Sequence, residues 1–131
     1  MMNAIHHEKM VALVVAGHLD QARELSDALG VPLNLSKANL SGADLSDVNL
    51  SGAILWRANL RNANLIGADL SDVNLSDVNL FSANLIGADL SGADLRHANL
   101  NDADLSKAYL SGAKHNAKTI WPVGFDKSRL Q

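Results

Sequence analysis

The chain has 131 residues, with 11 Lys plus Arg against 14 Asp plus Glu and no Cys. That length makes one domain with small appendages, and the missing cysteines exclude a disulfide framework, a thiolate metal site and a cysteine nucleophile. The net charge of −3 supplies no general field for nucleic acid, and the apolar residues, 47% of the chain, are interspersed with polar ones, which excludes a membrane span.

Residues 1–32 lack any short repeat and read as helical. Met10, Val11, Leu13, Val14, Leu19, Ala22, Leu25 and Leu29 supply apolar faces, and Gly30 and Pro32 are stop signals. Gly17 divides the segment, with Asp20 as candidate cap of the second piece. The apolar run from Met10 to Gly17 also has the length of a secretion-signal core. Glu8 precedes it, however, no small-x-small cleavage site follows, and His18-Leu19-Asp20 continues into a good helix, so a cytoplasmic location is the expectation.

From Leu35 a five-residue period takes over. Leu35, Leu40, Leu45, Leu50, Leu55, Leu60, Leu65, Leu70, Leu75, Leu80, Leu85, Leu90, Leu95, Leu100, Leu105 and Leu110 occupy every fifth position, which makes 16 consecutive repeats. Two residues before each Leu stands Ala in 12 repeats, Val at Val48, Val73 and Val78, and Leu33 in the first. Asn or Asp sits between in 14 of the 16, the exceptions being Ile54 and Tyr109. Such fixed-period self-similarity is the mark of stacked units.

On an α-helix a step of five residues turns by about 140°, so the Leu side chains would point to every face. On a flat strand alternate Leu would face opposite ways. What satisfies the period is a short extended piece, with the small residue and the Leu both inward, followed by two residues that turn a corner. The chain then coils around its own Leu residues, and adjacent coils pair edge to edge at about 4.8 Å. Ala fits a narrow interior that a second Leu in every repeat would overpack. Gly42, Gly52, Gly67, Gly87, Gly92 and Gly112 at second corner positions suit turns.

ANLSG, ADLSD, VNLSG and their successors resemble the motif of the pentapeptide repeat proteins: a small residue, Asp or Asn, Leu or Phe, and two variable positions. The resemblance covers residues 33–113 and implies an all-β solenoid, a right-handed quadrilateral β-helix of about four coils with an N-terminal α-helical cap. The expected organisation is therefore a helical cap over 1–32, the β-helix over 33–113, and a capping tail over 114–131. Lys118-Thr119-Ile120-Trp121-Pro122-Val123-Gly124-Phe125-Asp126 resembles the T-x-W-P-x-G-F-D ending of many bacterial, particularly cyanobacterial, members. Ends of a solenoid expose apolar cross-section and unpaired strand edges, so caps are expected at both, with Ile120, Trp121, Pro122 and Phe125 covering the last coil.

Candidate chemistry is sparse. His6, His7, His18, His97 and His115 show no i, i+4 pairing of a helical metal motif, and no Ser stands with a base and an orienting acid. Asp69 with Asp89, or Asp44 with Asp47, are the carboxylate pairs that an acid/base or hard-cation site would use, but Asp residues 20 apart approach as a by-product of the period, and Asn39, Asn59, Asn79 and Asn99 form an expected amide ladder. Neither a cofactor, a metal site nor an enzymatic activity is expected.

Departures from the motif at outward positions carry more information. Ile66 and Ile86 lie 20 residues apart and should stack, with Phe81 in the repeat before Ile86, so that the three form a patch around one corner. Ile54 and Trp56 flank Leu55 and point outward on another side. The expectation is a noncatalytic structural or protein-interaction module whose partner is a protein, itself or another, with a homodimer among the assemblies envisaged and no direct nucleic-acid or membrane binding.

The alternative is a DNA mimic that binds DNA gyrase or topoisomerase, as some members of the resembled family do, through an acidic face of Asp69, Asp72 and Asp89. Residues 36–112 hold 9 Asp against 5 Lys plus Arg, a net of 5 − 9 = −4, or one charge per coil. Duplex DNA carries nearly three over the same rise of about 4.8 Å.

Overall fold

The computed structural model describes residues 4–131; residues 1–3 of the expected helical segment lie outside the described residues. Two helices come first, α1 (Ala4–Val15) and α2 (Leu19–Leu29). Gly17, at φ +86°, lies between them. The N-cap of α2 is His18, whose carbonyl accepts from the Ala22 N–H. Asp20, expected at the cap, instead sits in the first turn, where it suits the positive end of the helix dipole. Gly30 ends α2 in the left-handed conformation, its N–H donating to the Asp27 carbonyl.

From Asn34 the chain winds into a four-sided solenoid. Each motif Asn or Asp, or its replacement, forms a parallel bridge with the residue 20 further on: Asn34 with Ile54, Asn39 with Asn59, Asp44 with Asn64, Asn49 with Asp69, and so upward. Four successive bridges close one coil. The first side thus stacks residues 34, 54, 74, 94 and 114; the second 39, 59, 79 and 99; the third 44, 64, 84 and 104; the fourth 49, 69, 89 and 109. The extended pieces are so short that each bridge is isolated rather than part of a continuous strand.

The backbone groups of the extended pieces pair between coils. The Leu40 N–H donates to the Asn59 carbonyl at 2.8 Å, and the Asn59 N–H donates back to the Ala38 carbonyl at 2.9 Å. Each corner is closed within its own coil, as where the Ala58 N–H donates to the Leu55 carbonyl. The second corner residue has φ near +60° whether or not it is Gly, with Lys37, Asp47, Arg57 and His97 among the others. Asn, Asp and His tolerate that region best among non-glycine residues, which explains much of the corner composition.

The motif Asn or Asp fastens the corner that follows it. Asn59 Oδ1 accepts from the Arg61 N–H at 3.1 Å, and Asp69 Oδ1 accepts from both the Ser71 N–H and the Ser71 hydroxyl. Asn39, Asn79 and Asn99 do the same. The expected amide ladder is therefore replaced by local turn bonds, because the oxygen is closer to its own corner N–H than to the next coil.

The interior is one column of Leu with Ala and Val, the Leu residues from Leu50 to Leu100 fully or almost fully buried. Met10, Val14 and Ala22 from the helices join the same cluster at its N-terminal end. At the other end one extra residue enters. Asn99 pairs with Ile120, a step of 21, so Thr119 takes the small inward position and its hydroxyl donates to the Leu95 carbonyl at 2.8 Å. Ile120, expected to cover the last coil, consequently points outward and is 51% exposed. Trp121 and Phe125 stack with ring centroids 4.6 Å apart and pack against the core cluster.

Candidate functional site

The outward residues singled out in the sequence fall on two different surfaces. Ile66 and Ile86 stack at the corner between the third and fourth sides, where the coils before and after carry Ser46 and Ser106. Phe81 lies at the preceding corner, across the third side with its Asn64 and Asn84, so the three do not share a corner as expected. The reason is that a five-residue step always carries the chain round to the next corner. Ile66 is 37% exposed, and Ile86 and Phe81 are half-buried.

Ile54 sits outward on the first side between Asn34 and Asn74. Among the described residues Ile54 and Tyr109 supply no oxygen to the corner after them, as motif Asn or Asp does. Trp56, at the corner between first and second sides, has Lys37 Nζ 5.2 Å and the Arg57 guanidinium 5.0 Å from its ring. Arg61 covers Phe81 in the same way at 4.6 Å. Sequence reasoning passed over these cations. The signal was present, since Arg61 and Phe81 are 20 residues apart, as are Lys37 and Arg57. Cations held over aromatic faces gain electrostatic attraction and lose mobility.

Asp69 and Asp89 pair on the fourth side, and Asp72 follows at the next corner, its carboxylate lying where a side chain at Gly92 would have to go. Asp47 lies likewise over Gly67. Of the residues at the two corners flanking this side only Lys107 is a cation, and Arg23 of α2 reaches the bottom of the side, onto the Asn49 and Ser51 carbonyls. Within the described residues the one ion pair is Arg96 with Asp94, at 2.6 Å. The solenoid is thus polarised, carboxylates on the fourth side and aromatic-bound cations around the second.

The hydroxyl and N–H of Ser71 hold the Asp69 carboxyl below its ordinary value of 3.8, and Ser46 and Ser106 do the same for Asp44 and Asp104. Asp94 is lowered chiefly by its hydrogen bonds from Arg96. A carboxylate depressed in the fold stabilises it above the unfolded pKa, and that stability is lost as pH falls through the folded value. The melting temperature is therefore expected to hold down to about pH 5 and to fall below about pH 4, read from thermal melts across pH.

The histidines do not converge. His7 Nδ1 hydrogen-bonds the Asn34 carbonyl at 3.1 Å, His97 pairs with Asn116, and His115 meets the edge of Trp121. Among the described residues no group of three or more His, Asp or Glu could hold a metal ion, and no helix is long and apolar enough to cross a membrane.

Comparison with known proteins agrees with this geometry. The family described as pentapeptide repeats matches in 8 copies over residues 33–52, 43–80 and 79–114. The chain is similar to the solved structure of alr5209, a pentapeptide repeat protein from Nostoc PCC 7120, with 36% identity, 86% of this chain and 91% of that one covered, and a TM-score of 0.78. It is similar to Rfr23 from the cyanobacterium Cyanothece 51142, with 43% identity over 67% of this chain and 60% of that one and a TM-score of 0.67. HetL from Nostoc sp. strain PCC 7120, a pentapeptide repeat protein involved in heterocyst differentiation regulation, shares 38% identity over 71% of this chain and 48% of that one, with a TM-score of 0.56. No curated protein matches.

Proposed function

Because the chain belongs to the pentapeptide repeat family, whose members imply the right-handed quadrilateral β-helix, we propose that it is a noncatalytic protein-interaction module of the cytoplasm. The N-terminal segment 1–32, which carries α1 and α2, and the tail over 114–131 serve as its caps, with residues 33–113 between as the rigid part that presents the surface. The observation that carries the reading is the corner between the third and fourth sides. Its two central coils bear Ile66 and Ile86 while Ser46 and Ser106 flank them, which reproduces in small the apolar centre and polar rim of a protein interface. Phe81, across the third side, extends the apolar contact.

A solenoid side is flat and stiff, so little ordering entropy is lost when it docks. The partner in this reading is a second copy. Light scattering behind size exclusion is expected to give a dimer for the wild type and a monomer for Ile66→Ser/Ile86→Ser. A monomer in both proteins removes self-association and leaves another protein as the partner of this corner.

A further inference from the structure

We infer that the N-terminal edge of the second side is a docking site for an extended polypeptide segment, which adds as a strand before the first coil. The first coil has no coil beneath it, so its backbone groups must find other partners. On the first side the Asn34 carbonyl accepts from His7, and on the fourth side the Asn49 carbonyl accepts from Arg23 at 2.5 Å. On the second side neither the N–H nor the carbonyl of Asn39 has a hydrogen-bond partner among the described residues, although Asn59 and Asn79 above it use both. Asn39 is exposed. An open edge of this kind is a template for a strand.

A second, independent feature lies beside it. A groove of about 350 Å³ runs between α1 and the first coil, with Val11, Ala12 and Val15 on the helix wall and Lys37, Ala38 and Asn39 on the other. It runs along the outer margin of the helical cap, since Ala38 and Leu40 are themselves already buried, and Val15 is left 58% exposed. The third side is equally open at Asp44, but the groove does not reach it, and Asp44 itself is a carboxylate. Second-side geometry therefore selects the site.

Register then states the ligand. A segment paired in parallel with Asn39 turns the residues before and after its pairing residue toward the helix wall of Val11, Ala12 and Val15, so both must be apolar. The residue two before the pairing position comes one strand spacing, about 4.8 Å, from Lys37. Among the described residues Lys37 makes no ion pair, and it rests on Trp56 beside Arg57. A carboxylate fits there, whereas Glu8 on the helix wall disfavours one inside the groove. The recognised pattern is acidic, apolar, polar, apolar. Three cations, Lys37, Arg57 and Arg61, on a chain of net charge −3 are few for a polyphosphate, so the partner is protein.

The probe is a fluorescein-labelled peptide with the sequence of residues 71–76, SDVNLS, which has this pattern, titrated into the full chain and followed by anisotropy. Saturable binding is expected, weakened about tenfold or more by Val15→Asp and by Lys37→Gln and unchanged by Ile66→Ser/Ile86→Ser. At saturation the Asn39 amide should exchange its hydrogen more slowly. Thermal melts check that both variants remain folded, and Lys37→Gln lies outside the core. No binding up to about 1 mM overturns the inference. So does equal binding of a scrambled peptide, insensitivity to both N-terminal variants, or displacement by short single-stranded DNA, which would assign the face to nucleic acid. The double Ile variant separates this site from the corner proposed above.

Discussion

Leu70→Asp is expected to leave the protein unfolded at room temperature, while Ser71→Asp, one residue away, melts within a few degrees of the wild type. Leu70 has no exposed surface and lies in the column of Leu50 and Leu90, with its backbone committed to the Asp89 carbonyl at 2.8 Å. A carboxylate there has no cation or N–H left to meet, and an unpaired buried charge costs several kcal/mol, about as much as a small domain's whole stability. Each coil contacts only its neighbours, so the loss is passed upward and downward along the stack. Leu70→Ala removes only methyl groups and should cost about 2–5 kcal/mol. Ser71 is at a corner and partly exposed, and its replacement loses one hydroxyl bond to Asp69 and adds a like charge in water. Circular dichroism melts of the three variants read the difference, and equal melting for Leu70→Asp and Ser71→Asp would place Leu70 outside the core.

Arg129→Ala should cost about 1–3 kcal/mol, although the side chain lies outside the apolar core. In an internal coil the Ala carbonyl accepts an N–H from the coil above, as Ala88 does from Tyr109 at 2.9 Å. Ala108 has no coil above. The Arg129 guanidinium supplies the donor instead, reaching the Ala108 carbonyl at 2.9 Å and the Leu105 carbonyl at 2.8 Å. Phe125, 5.4 Å beneath it, holds the group in place, and Asp126 starts the final 3₁₀ turn (Lys127–Leu130) that carries it. Arg23 does the corresponding work at the first coil, on the Asn49 and Ser51 carbonyls. Removing Arg129 leaves the Ala108 carbonyl without a donor, while the Leu105 carbonyl keeps the Ala108 N–H, and removing Arg23 strips the Asn49 carbonyl; either loss lets the tail or the helices lift. Hydrogen exchange should report faster opening confined to the terminal coil, with Arg129→Lys recovering part of the loss, since a single ammonium cannot reproduce the planar fork.

The column of Leu was legible because period five admits one solution, and the bridges from Asn34 upward follow the 20-residue step that a four-sided coil requires. The helices were legible from Met10, Val14, Gly30 and Pro32 for the same reason: local periodicity and stop residues act within a few positions. Cap details were not. His18 rather than Asp20 stands at the cap, because where a first turn begins depends on the chain's path out of α1.

The outward surface divides along the same line. Stacking of Ile66 on Ile86 and the separation of Phe81, one five-residue step from Ile86, both follow from arithmetic, whereas the direction in which neighbouring corners face follows from the angle at each, which the repeat does not encode. The extra residue before Thr119, which turns Ile120 outward, became visible only when Asn99 was found paired 21 residues on. Arg23 and Arg129 were silent in the sequence, since a lone cation outside the motif looks like any solvated charge until a carbonyl comes within reach of it.

By itself the sequence determined the interior of this protein: a repeated small residue and Leu can be buried together only in a coil, and burial of those side chains is the largest favourable term. Tertiary structure alone decided how the column ends and what its sides present. Those depend on contacts between residues about 20 or more positions apart, and hydrogen-bond and cation–π geometry at such range is set by the path of the whole chain.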